Sequence, residues 1–100
     1  FFFLITIYIM VKIGKYHYEL STNKNKKLMT IVDGKVIHFG QKGYEHFFDK
    51  TRLTDIKLNH MDKKRQTNYL KRSKGITNKN GELTYKNPNS SNYHAIRILW

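Results

Sequence analysis

Residues 28–40 read LMTIVDGKVIHFG. Two β-branched runs flanking Asp33-Gly34 make this the segment that decides the fold. Asp-Gly favours a two-residue turn with both central residues at positive φ, whose twist matches that of the strands it joins. Such a turn fixes the register. Val32 pairs with Lys35, Thr30 with Ile37 and Leu28 with Phe39 on one face; Ile31 with Val36 and Met29 with His38 share the other. Apolar groups fall on both faces, so each side of the sheet is expected to be covered, at least in part.

Toward the N-terminus, KYHYELS (15–21) alternates, with Tyr16, Tyr18 and Leu20 on one face and His17 and Glu19 on the other. It supplies a third strand, joined by the polar loop TNKNKK (22–27). Residues 1–11, FFFLITIYIMV, are almost wholly apolar, yet only about half the ~20 residues a bilayer span needs. They also lack a basic leader and a small-residue cleavage site, which argues against secretion and against a membrane anchor. Met10 is the natural start, so residues 1–14 are read as an extension outside a single domain covering 15–100.

Toward the C-terminus, Gly40 and Gly43 mark the exit from the sheet. YEHFFD (44–49) reads as a short helix with Tyr44, Phe47 and Phe48 toward the sheet. Residues 50–59 form a loop with Leu53, Ile56 and Leu58 as anchors. HMDKKRQTNYLKR (60–72) reads as a cationic helix: Asp62 caps it, and Arg65, Tyr69 and Arg72 follow at helical spacing along one side. Residues 75–87 have turn chemistry around Asn80-Gly81 and fit either a hairpin or an ordered loop. NSSNYHAIRILW (89–100) gives a last helix, capped by Asn89 or Ser90, with Tyr93, Ile96, Leu99 and Trp100 as its apolar stripe. The expected fold is α+β: a three-stranded antiparallel meander packed with two or three short helices.

A chain of 100 residues makes one small domain. The absence of cysteine excludes disulfides and thiolate metal sites. A net charge of +12 implies attraction to polyanions, although richness in Lys and Asn also suits a merely solvated surface. The segment from Lys57 to Lys79 concentrates the charge, with Lys63, Lys64, Arg65, Lys71, Arg72 and Lys74 opposed by Asp62 alone. These six are the candidate phosphate-binding residues. Tyr69, and Arg65 in part, are assigned to holding the helix, Arg65 by pairing with an acid such as Asp49 or Asp62.

No phosphate-binding loop, hydrolase elbow or metal-binding motif occurs, and seven carboxylates are dispersed along the chain. No enzyme, metal or cofactor is expected. His38 is assigned to capping the sheet edge through a ring hydrogen bond, His60 to ordering the loop before the helix, and Trp100 and Tyr93 to core packing.

Three stretches taken together resemble a family of small, basic, mostly uncharacterised proteins of large double-stranded DNA viruses, including algal viruses and mimivirus relatives. VIHFGQKGYEHF (36–47) is similar to the family's V-H-F-G-x-x-G-Y pattern, carried here by His38, Phe39, Gly40, Gly43 and Tyr44. His60, Asp62, Arg65, Tyr69 and Arg72 are similar to a second pattern, and NSSNYHAIRILW, closing on Trp100, to a third. Residues 49–58 depart from it as an insertion, and Ile96–Arg97–Ile98 stands where the family has an aromatic. The resemblance implies a setting in the virion or the cytoplasmic virus factory, and no catalytic residue. It leaves two functions open: a sequence-independent nucleic-acid-binding accessory protein, or a minor structural component cementing acidic virion proteins.

Overall fold

A computed structural model describes residues 9–100; the apolar residues 1–8 lie outside the described part. Strands β1 (Val11–Ile13), β2 (Tyr16–Leu20), β3 (Lys26–Val32) and β4 (Lys35–Gln41) form one antiparallel sheet in chain order. The β3–β4 register is the one the Asp-Gly turn dictates, from Val32 with Lys35 to Leu28 with Phe39. Asp33 at φ 50° and Gly34 at φ 79° supply the two positive-φ positions.

The sheet has four strands, one more than expected. Ile13 pairs with Tyr16 across a Gly14-Lys15 turn, and Val11 with Tyr18. The sheet thus reaches back into residues assigned to the extension. Gly-Lys is a weak hairpin signature, and β1 is only three residues long, sharing Val11 alone with the apolar run.

Helix α1 (Lys63–Ser73) and helix α2 (Ser91–Leu99) complete the fold, with single 3-10 turns at Ile56–Leu58 and Thr84–Lys86. The Ser90 side chain caps α2 by accepting from Asn92 N. Ser91 Oγ donates to His38 O on β4 (2.6 Å), pinning the start of α2 to the sheet. The core contains Tyr18, Leu28, Phe39, Ala95, Ile98 and Leu99, with Tyr18 and Phe39 meeting edge to face. Each fully buried side chain of this size contributes roughly 1.5–3 kcal/mol.

The buried face of α2 is His94, Ala95, Ile98 and Leu99, with Tyr93, Ile96 and Trp100 only half-buried. This corrects the expected stripe, which treated His94 as polar. The ring enters the core because both nitrogens are satisfied there. Pro88 O can only accept, so Nε2 carries the proton and donates to it (2.7 Å). Nδ1 is then free to accept from the Tyr18 hydroxyl (2.9 Å).

The 44–49 stretch is not a helix. Its backbone pairs outward instead: His46 N donates to Leu58 O, Phe48 N to Leu99 O and Lys50 N to Ile98 O. Tyr44 accordingly points away from the sheet and is 68% exposed. Ile56 is exposed too, whereas Leu53 does pack against the core. The 75–87 stretch is a loop with one antiparallel bridge, Thr77 with Leu83. On the outer face of the sheet Ile31 and Val36 stay more than half exposed, so that face is less covered than expected.

Candidate functional site

Helix α1 begins where the sequence places it. Asp62 Oδ1 accepts from Lys64 N (3.0 Å) and Arg65 N (3.2 Å), satisfying backbone donors that the first turn leaves open. The helix has almost no aliphatic face; Gln66, Tyr69, Leu70 and Ser73 are the residues that turn inward. What holds it is a ladder of rings. Tyr69 stacks on Trp100 at 3.9 Å and 6°. His60 lies against the Trp100 ring at 5.2 Å, and Phe47 meets His60 edge to face. Cations close both ends: Arg72 sits over Tyr69 at 5.7 Å and Lys63 over Phe47 at 4.9 Å. Gln66 Nε2 donates to Trp100 O, and Asn92 Nδ2 to Ser73 O.

The six candidate cations do not share one face. With 3.6 residues per turn, Lys64 and Lys71 fall opposite the inward residues and project to solvent. Arg65 and Arg72 flank a cleft of about 540 Å³ between α1, the end of β4 and α2. Lys63 leans on Phe47, and Lys74 on Tyr85. Arg65 pairs with Glu45 at 2.9 Å, not with Asp49 or Asp62 as expected. Among the described residues this is the one ion pair found.

Two cations that sequence spacing did not connect to α1 also reach the cleft: Lys26 and Lys27 of β3. Lys27 is buried, and its ammonium donates to Tyr44 O and to His46 Nδ1 (2.8 Å). Burial pushes Lys27 down to about 8, partly offset by Asp49. His46 Nε2 then donates to Asn59 Oδ1 (2.6 Å), which also accepts from Asp49 N. No sequence signal ties Lys27 to His46, because the contact is made only after the 44–49 segment folds back over the sheet edge.

The remaining motif residues fall around this frame. His38 Nδ1 is hydrogen-bonded to Ser21 Oγ at 2.7 Å. Phe39 is buried, and Gly40 lies under Leu99 and Lys27. Gly43 precedes Tyr44, whose assignment to the sheet is overturned by its exposure. His60 Nδ1 accepts from Asp62 N, while its Nε2 is buried without a partner among the described residues. Burial, then Arg65, lowers the His60 pKa. No cluster of His, Asp and Glu suited to a metal occurs among the described residues, and none of their helices is long and apolar enough to cross a membrane.

Acid sensitivity follows from the two fully buried rings. Burial lowers both His46 and His94 below the ordinary value of 6.5, aided by Lys27 for His46. The unfolded chain therefore takes up protons first, and stability falls as pH drops through 6.5 toward the folded values. With both rings titrating, the slope approaches about 2.7 kcal/mol per pH unit. Urea unfolding at a series of pH values measures it. His94→Gln, which can keep one of the two hydrogen bonds, flattens the profile by about half.

Fold and site together define a small α+β domain in which an antiparallel sheet carries a basic helix across a cationic cleft. Within it, residues 17–51 are similar to a family described as a family of unknown function (DUF5754). The similarity runs from β2 through β4 to just past Asp49, about a third of the chain, and stops before α1. No curated protein and no solved structure matches the chain.

Proposed function

We propose that this chain is a nucleic-acid-binding accessory protein of a large DNA virus that grips phosphates without reading sequence. The observation carrying the proposal is the meeting of Arg65, Arg72 and Lys26 at one cleft, floored by the buried Lys27, with Lys64 and Lys71 on the adjoining helix face. One carboxylate, Glu45, stands among them. An excess of cations over acids at a concave surface focuses potential on a polyanion. The viral setting rests on the motif resemblance alone.

The chemistry is binding and not catalysis. Both oxygens of the buried Asp49 are consumed by hydrogen bonds from Thr51 and Thr54. Glu45 is engaged by Arg65, whose hydrogen bond and charge lower its pKa.

Fluorescence titration of a random-sequence duplex at several salt concentrations tests the proposal. About five phosphate contacts give a log–log slope near −4.5. Arg72→Ala reduces that slope by about one, alike on different sequences. Absence of binding at low salt sinks the proposal.

The alternative, a cementing component of the virus particle, is favoured by one separate feature. The outer face of the sheet exposes Ile31 and Val36, an apolar surface of the kind protein partners cover. Stoichiometric abundance in purified virions, with no affinity for DNA, would select it.

A further inference from the structure

Among the described residues Tyr44 is the only aromatic that stands exposed, at 68%. Tyr44 is one of the residues that line the cationic cleft. The rings of Tyr69 and Trp100 are unavailable as platforms. Each has one face covered by the other, and Arg72 crowds Tyr69 while His60 crowds Trp100. The segment bearing Tyr44 is fastened from two sides. Lys27 binds its backbone carbonyl, and Arg65 grips the neighbouring Glu45. An exposed ring on a fastened backbone loses little freedom when it takes a ligand.

We infer that the cleft holds one unstacked nucleotide of a single strand, its base against the Tyr44 ring and its flanking phosphates on Arg72 and Lys26. Pockets of ~300–1,000 Å³ suit ligands of this size, and the cleft holds about 540 Å³. Duplex DNA keeps its base faces buried in the stack and gives Tyr44 nothing to cover. Single strands offer every base, and one base–aromatic stack is worth about 1–3 kcal/mol. The inference rests on the phosphate-binding function proposed above and adds a preference for single strands.

The test is fluorescence anisotropy of the full chain with a labelled oligothymidylate and with a random duplex of equal length, at matched salt. The wild type binds the single strand more tightly. Tyr44→Ala weakens single-strand binding about 5- to 150-fold and duplex binding by less, and an unchanged urea midpoint shows that the variant is folded. Tyr44→Phe retains the preference. Equal affinity for the two probes, an unaltered single-strand affinity in Tyr44→Ala, or a free thymidine nucleotide binding as tightly as the strand overturns the inference while phosphate binding stands. Failure to bind either probe overturns both.

Discussion

Replacing Asp49 by alanine lowers the unfolding free energy by about 3–5 kcal/mol. The side chain is 1% exposed and accepts four hydrogen bonds. Oδ1 takes Thr51 N (2.8 Å) and Thr51 Oγ1 (2.6 Å). Oδ2 takes Thr54 N (2.9 Å) and Thr54 Oγ1 (2.6 Å). Burial by itself would raise the carboxyl, but these donors outweigh it and lower the pKa below the ordinary 3.8.

Truncation strands the two Thr51 donors where water reaches poorly, since Thr51 is 5% exposed. Thr54 is half-buried and recovers part of its loss from solvent. The charge that supports the buried Lys27 ammonium goes as well. The damage spreads because Phe48 N and Lys50 N, beside Asp49, are bonded to the end of α2. Because the folded pKa is depressed, the contribution is full above 3.8 and lost as pH falls through the folded value. Wild type and variant thus differ most near neutrality and converge in acid. Urea unfolding monitored by Trp100 fluorescence measures the gap; a loss below ~1 kcal/mol would mean the turn is already solvated.

Asp49 also shows where sequence reasoning stops. The Asp33-Gly34 hairpin and the Asp62 cap were legible because each is a local device, complete within a few residues. Asp49 is locally visible as an acid two residues before one Thr and five before another. Its burial depends on the α2 end, some fifty residues away. His94 looked polar for the same reason: Pro88 lies just before α2, but Tyr18 is brought to the ring only by the fold. The site was half legible. Arg65, Tyr69 and Arg72 do share one side of α1, as their spacing requires. Lys26, Lys27 and Glu45 come from elsewhere in the chain, and Tyr44 was assigned inward because aromatics near a sheet usually pack on it. A mean helical pattern could not show that ring stacking, rather than an aliphatic stripe, would hold α1.

Gly40→Ala costs about 2–5 kcal/mol, more than the same change at Gly34, and the difference isolates packing from backbone strain. Both glycines lie at φ +79°, so each substitution carries the left-handed penalty of roughly 1–2 kcal/mol. At Gly34 an added Cβ meets nothing within 4 Å. At Gly40 it would lie 2.8 Å from Leu99 Cδ1 and 3.2 Å from Lys27 Cδ. Leu99 is 1% exposed and packed in the core, so it cannot swing aside without opening a void. Overpacking of this kind adds about 1–3 kcal/mol. The displaced atoms belong to the cleft floor, because Gly40, Lys27 and Leu99 all line it. On the proposed function, Gly40→Ala therefore weakens nucleic-acid binding as well as stability, while Gly34→Ala, at the far end of the hairpin, leaves binding intact. Parallel urea titrations of the two variants, with anisotropy on each, decide the matter. Equal losses of stability would show that Gly40 serves only the backbone and that the cleft floor yields.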